Sequence, residues 1–167
     1  YDVNNKIDHL YMDCNSIIYD AVHNIKNDNI DDYEYIIIKY VIDKLLDYIN
    51  IIKPDKTVYI TFDGVAPFAK MNQQRTRRYK NLFINKINET ETNWNTSNIT
   101  PGTKFMNRLT NMINTQIKIW NREMKINILF SGTDEKGEGE HKLFHELRNS
   151  NFANDNVAVY GLDSDLL

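Results

Sequence analysis

Cysteine is almost absent from this sequence. One residue, Cys14, stands in 167, so no intrachain disulfide can form and no cysteine ligand set for zinc is present. No run of 18 apolar residues occurs, and no signal or transit peptide is recognisable. These absences argue against a membrane span and for a soluble intracellular protein of the cytoplasm or nucleus. Positive charge is not in excess either: 20 Lys and Arg face 23 Asp and Glu, for a net charge of −3. A coat that grips polyanions everywhere is thereby excluded, and any polyanion binding has to be local. There is no internal repeat and no linker-like stretch. Asn and Ile are plentiful, which reads as AT-rich coding, as in a large DNA virus or an AT-rich protist, because helical and strand patterns persist through the bias. What remains is an ordinary chain, 41% hydrophobic and of about one domain's length.

Hydrophobic periodicity orders the elements. Residues 8–12 and the run TVYITF at 57–62 read as buried strands, as do 125–130 and 156–162. Between them lie helical patterns at 15–25, with Asn15 as a candidate N-cap, and at 31–52, which opens on Asp31 and Asp32 and is followed by Pro54. A basic helix spans 68–87. A polar loop covers 88–98, and Pro101-Gly102 marks a turn. The helix expected over 103–122 carries Phe105, Met106, Leu109, Met112, Ile113, Ile117 and Trp120 on or near one stripe, and a last helix covers 138–149. Strands alternating with helices predict an α/β fold, a three-layer sandwich with a mainly parallel central sheet. The economical reading is one domain over 1–167 with no second domain. It reads as a partial domain truncated at both ends, since residue 1 is Tyr and the last strand runs straight toward a further helix.

Each predicted strand leads into acid. Asp13 follows the first and Asp63 the second; Glu138 and Glu140 come after a Gly-bearing turn behind the third; Asp163 and Asp165 follow the fourth. In a parallel sheet all strand C-termini share one edge, where sites form. One such Asp is ordinarily a turn residue or helix cap, but acids at all four strand ends are hard to obtain by chance. Carboxylates gathered there repel one another until cations neutralise them. Mg²⁺ or Mn²⁺ suits an all-oxygen shell, and six acids are enough for two ions, an arrangement that hydrolyses phosphodiesters. Beside Asp63, the stretch DGVAPFAKMNQQRTRR at 63–78 places Lys70, Gln74, Arg77 and Arg78 at i, i+4, i+7 and i+8, one face of a helix. Charge runs are usually solvated faces, and Arg75, Lys80 and Lys86 fit that plainer account. The shared face near Asp63 instead suits a terminal phosphate. Trp94 and Trp120 read as packing residues, His23 and His145 as core-edge or surface histidines, His141 as an orienting residue, and Cys14 as a buried small apolar side chain.

The blocks HLYMDCNSIIY (9–19), TFDGVAPFAKMNQQRTRR (61–78), ITPGTKFM (99–106), SGTDEKGEGEHKL (131–143) and VYGLDSDLL (159–167) together resemble the N-terminal nuclease region of XRN-type 5′→3′ exoribonucleases, in the family's order and over nearly the whole chain. The wider group includes flap endonucleases and has a PIN-like α/β fold. The resemblance implies processive degradation of single-stranded RNA bearing a 5′-monophosphate, with Mg²⁺. It implies Asp13, Asp63, Glu138, Glu140, Asp163 and Asp165 as metal ligands and catalytic acids. Lys70, Gln74, Arg77 and Arg78 become the 5′-phosphate pocket, and Asn15 and Tyr19 become RNA contacts, Tyr19 stacking on the first nucleotide. The chain departs from the family pattern at Tyr19, where His is usual, at Phe68, where a basic residue is frequent, and at Ser16, where Gly is usual. Two other readings compete: a structure-specific DNA flap endonuclease, and a non-catalytic RNA-binding relic.

Overall fold

The computed structural model describes residues 6–25, 32–87, 94–152 and 154–162, with only the backbone for residues 77, 78, 81, 82 and 84–87. Among these residues four strands, β1 (His9–Asp13), β2 (Thr57–Thr61), β3 (Asn127–Ser131) and β4 (Val157–Tyr160), form one sheet of order β3-β2-β1-β4. All three pairings are parallel, with Asp13 in register with Thr61 and Thr61 with Ser131. The chain steps from β1 to β2 to β3 in one direction and then returns to the far side of β1. A direction change of this kind opens a crevice beyond the strand C-termini.

Among the described residues five helices flank the sheet: α1 (Asn15–Asn24), α2 (Tyr33–Ile52), α3 (Phe68–Ile87), α4 (Lys104–Glu123) and α5 (Gly139–Asn149). Side-chain alternation divides them. Leu10, Met12, Val58 and Ile60 point into one core with Ile17 and Ile18 of α1, Ile37, Val41 and Leu45 of α2, and Phe105, Leu109 and Ile113 of α4. Tyr11 points the other way, against the rings of Tyr59 and Phe152, on the face where α5 packs on β1 and β2. A right-handed return from β3 to β4 carries α5 to that second face. The predicted three-layer α/β sandwich with a parallel sheet is the observed architecture.

Local chemistry accounts for the element ends. Thr103 caps α4 through the Met106 N–H at 3.3 Å. Asp32 caps α2 through the Tyr35 N–H at 3.2 Å and accepts two hydrogen bonds from Arg108 of α4, at 2.6 and 2.7 Å. Asn15 departs from expectation. It is the first residue of α1, and Cys14 occupies the cap position without a side-chain cap bond; the Asn15 amide is engaged elsewhere, as described below. Trp94 packs edge-on against Phe105 and Tyr33 and donates to Glu34, the packing role expected of it. Cys14 is fully buried, as expected of a small apolar side chain. The helix α3 differs from the others: Phe68, Met71, Tyr79 and Phe83 are all exposed. No helix among the described residues is long and apolar enough to cross a membrane.

Candidate active site

The strand ends gather acids at the C-terminal edge of the sheet. Asp13 closes β1, and Asp63 lies two residues beyond β2, its immediate neighbour. From β3 the chain runs through a turn, 132–138, that must fold back against 62–65 to deliver Glu138. It does so by two main-chain bonds, Gly64 N–H to Gly137 O at 2.8 Å and Gly137 N–H to Val65 O at 3.1 Å. Glycine is required at 64, because a Cβ there would fall 1.6 Å from Glu135 O. Glu138 then takes the N-cap position of α5 and Glu140 its first turn, where the helix dipole favours negative charge.

Gly139 brings the two halves together. Its N–H donates to Asp63 Oδ1 at 2.8 Å, and its carbonyl accepts from the Thr61 hydroxyl at 3.1 Å. A Cβ at 139 would lie 2.4 Å from Asp13 Oδ1 and 3.2 Å from Thr61 Oγ1, so the main chain of α5 sits directly against the Asp13 carboxylate. Asn15 clamps Asp63 from the other side: its Nδ2 donates to Asp63 Oδ2 at 2.5 Å, and its Oδ1 accepts from the Asp63 N–H at 3.2 Å. A Gly139→Ala variant is expected to fold with about 1–3 kcal/mol less stability from overpacking. It should also bind Mn²⁺ about tenfold or more weakly, because Asp13 has to move. Thermal melts and isothermal titration read the two effects separately.

Electrostatics follows from the crowding. Burial pushes the Asp63 carboxyl up from its ordinary value; the Gly139 N–H pulls it back, the charge on Glu138 adds to the rise, and Lys142 and Lys70 oppose it. A folded value raised above the unfolded one means that the stability Asp63 contributes is complete below the unfolded value of 3.8 and is lost as pH rises through the folded value. Asp63→Asn is neutral at every pH but sets an amide N–H against the Asn15 Nδ2 or Gly139 N–H donor, so the informative quantity is the slope: in chelator, the melting temperature of the parent relative to the variant is expected to fall as pH rises above 3.8. Paired melts of variant and parent across that range check the sign.

Three side chains of α5 offer ligand atoms close together. Glu138, Glu140 and His141 have donor atoms within 4.8 Å of one another, and His141 Nδ1 lies 3.7 Å from a carboxylate oxygen of each glutamate. With Asp13 and Asp63 alongside, this is an oxygen-rich set that could hold a hard divalent ion. Lys70 of α3 reaches the same group, its Nζ 3.4 Å from Glu138 Oε2. Gln74 stands one turn further along α3, half-buried, and Arg77 and Arg78 continue that helix although their side chains lie outside the described residues. Tyr19 is 45% exposed on α1, one turn beyond Asn15. Asp163 and Asp165 lie outside the described residues.

Sequence reasoning passed over several residues here. His141 faces both glutamates, which its position after Glu140 alone did not suggest. Thr61 bridges Met12 O and Gly139 O at 3.0 and 3.1 Å. Lys142 is 8% exposed, and its signal was available: with Gly139 and Leu143 it occupies the inward face of α5, where a lysine is out of place.

The whole chain, residues 1–167, matches the family described as XRN 5'-3' exonuclease N-terminus. It is 36% identical to 5'-3' exoribonuclease 1 of Saccharomyces cerevisiae, with 97% of this chain and 12% of that protein covered. It is 35% identical to 5'-3' exoribonuclease 1 of Homo sapiens over 97% of this chain and 11% of the human protein. With 5'-3' exoribonuclease 2 of Eremothecium gossypii the identity is 29%, covering 98% of this chain and 20% of that protein. The chain thus spans between about a tenth and a fifth of the length of these relatives. On a match that runs from its first residue to its last, the chain belongs to the family of XRN 5′→3′ exonuclease N-terminal regions.

Proposed function

We propose that the protein carrying this chain is a divalent-metal-dependent 5′→3′ exoribonuclease that removes mononucleotides from 5′-monophosphorylated RNA, with residues 1–167 forming part of a single nuclease domain. One observation carries the reading. A phosphate-binding cation and an acid cluster meet, Lys70 Nζ being 3.4 Å from Glu138 Oε2. A 5′-phosphate held along α3 would then leave the next phosphodiester of the RNA beside the acids, which suits removal of one nucleotide at a time.

Asp13, Asp63, Glu138 and Glu140, joined by Asp163 and Asp165, would hold Mg²⁺ or Mn²⁺, two ions for six acids. Bound there, the ions supply charge neutralisation, a lowered pKa for water and Lewis acidity toward the scissile phosphate. The protein's own part is orientation. Asn15 and the Gly139 N–H hold Asp63 in one rotamer. Lys70, Gln74, Arg77 and Arg78 bind the 5′-phosphate, whose extra negative charge over an internal diester makes it the better ligand for a cationic face. Tyr19, exposed one turn from Asn15, stacks on the first base.

Side-by-side digestion of 5′-phosphorylated RNA and of flap DNA tests the reading. RNA consumed to mononucleotides with flap DNA intact supports it. Flap cleavage favours the endonuclease alternative, and absence of cleavage together with absence of Mn²⁺ binding favours a binding relic.

A further inference from the structure

Burying an ammonium costs several kcal/mol unless it is well paired. Lys142 is nonetheless placed inward on α5, with 8% of its surface exposed. Its Nζ donates to two main-chain carbonyls, Phe62 O at 2.9 Å and Gly132 O at 2.6 Å. Both acceptors lie immediately past strand ends: Phe62 after β2 and directly before Asp63, Gly132 after β3 at the start of the turn that ends at Glu138. The Phe62 N–H donates to Ser131 O at 3.0 Å, so the two strands are still paired where the ammonium spans them. The lysine's own helix supplies the third component, since Gly139, three residues earlier, bonds Asp63. Three segments that each deliver a candidate ligand therefore meet at one side chain.

The charges around it are equally one-sided. Burial pulls the Lys142 pKa down, while Glu135, Asp63, Asp134 and Asp13 hold the proton on. Those acids come from the ends of β1 and β2 and from the turn after β3. No other lysine or arginine among the described residues is buried.

The geometry points to Lys142 as a positioning residue for the acid cluster: its two hydrogen bonds fix the main chain that presents Asp63 and Glu138 to a divalent ion, and its charge offsets carboxylate repulsion before the ion arrives. This rests on the nuclease reading above and adds a requirement that reading does not contain. Lys142 acts through the main chain it holds, its Nζ donating to Phe62 O and Gly132 O. A lysine that only fastened two strands together would change stability and leave metal affinity alone, and that difference is measurable.

Lys142→Met keeps the aliphatic stem and removes the donors and the charge. In the full-length protein its dissociation constant for Mn²⁺, by isothermal titration, is expected to rise about tenfold or more, as for residues that support metal ligands from behind. Turnover at saturating RNA should fall by a similar factor, with KM for RNA changed less than about twofold, because the lysine orients ligands and not substrate. Lys142→Arg, which retains charge and donors, should recover part of the Mn²⁺ affinity. Should the Met variant not fold, Lys142→Gln takes its place, with an uncharged amide NH₂ in place of the ammonium, and an intermediate Mn²⁺ affinity is expected. Parental Mn²⁺ affinity in a folded Met or Gln variant, whatever its melting temperature, overturns the proposal. A parent protein that binds no Mn²⁺ overturns the nuclease reading along with it, so the two failures are told apart by the parent alone.

Discussion

Glu140→Gln is expected to lower single-turnover RNA cleavage by about a thousandfold or more, with the fold intact. A thousandfold corresponds to about 4 kcal/mol of transition-state stabilisation, the size expected if Glu140 is a metal ligand of the proposed site. The substitution is isosteric. It leaves one oxygen that can still accept a hydrogen bond but cannot supply the negative charge that draws a divalent ion. Glu140 lies in the first turn of α5 and shares its ligand group with Glu138 and His141. Its loss therefore removes one of the three neighbouring donor side chains of that group. Removing a carboxylate from among like charges relieves repulsion, so melting in chelator should be unchanged or slightly higher. Raising Mn²⁺ should restore only part of the rate. A variant that cleaves within about tenfold of the parent would place the acids outside the chemistry.

Lys70→Ala is expected to erode selectivity more than rate. A charge-assisted hydrogen bond contributes about 1.5–3 kcal/mol, so the ratio of kcat/KM for 5′-phosphate over 5′-hydroxyl RNA should fall about 10- to 100-fold. Cleavage of the hydroxyl RNA should fall by a smaller factor, because that RNA never made the phosphate contact and loses only what passes through the acid cluster. Lys70 also lies 3.4 Å from Glu138, so its removal alters the acid cluster as well as the pocket. Arg77→Ala is the partner experiment, since Arg77 lies two turns further along the same helix face. Equal loss on both substrates in the two variants contradicts the pocket assignment; selective loss in both supports it.

The parts legible in the sequence were those carried by short-range pattern. Strand and helix alternation gave the layered parallel fold, with boundaries one or two residues from those observed, as at 57–62 against Thr57–Thr61 and 103–122 against Lys104–Glu123. The α4 stripe was readable because Phe105, Leu109, Ile113, Ile117 and Trp120 repeat at helical spacing, and all are buried. Asp13, Asp63, Glu138 and Glu140 could be read together because a parallel sheet puts every strand C-terminus on one edge, while Asp163 and Asp165 lie outside the described residues. What could not be read was which acids touch. Asp13 meets the α5 backbone, and Asp63 is held between Asn15 and Gly139. Those contacts depend on β1 and β2 being neighbours in the order β3-β2-β1-β4, a tertiary choice no local pattern encodes. Asn15 shows the cost of local reasoning. An Asn before a helical run suggests a cap, but here the amide serves an aspartate 48 residues away. Lys142 was missed for another reason: in GEGEHK it reads as one more surface charge unless the inward face of α5 is counted first.

In the proposed function one site both recognises a 5′-phosphate and cleaves behind it. The most direct measurement offers the full-length protein two RNAs of identical sequence, one with a 5′-monophosphate and one with a 5′-hydroxyl, in Mg²⁺, and follows both by product size. The account predicts that the phosphorylated RNA alone is consumed and that the products are mononucleotides. Consumption of both RNAs at one rate, or appearance of internal fragments in place of mononucleotides, would contradict it.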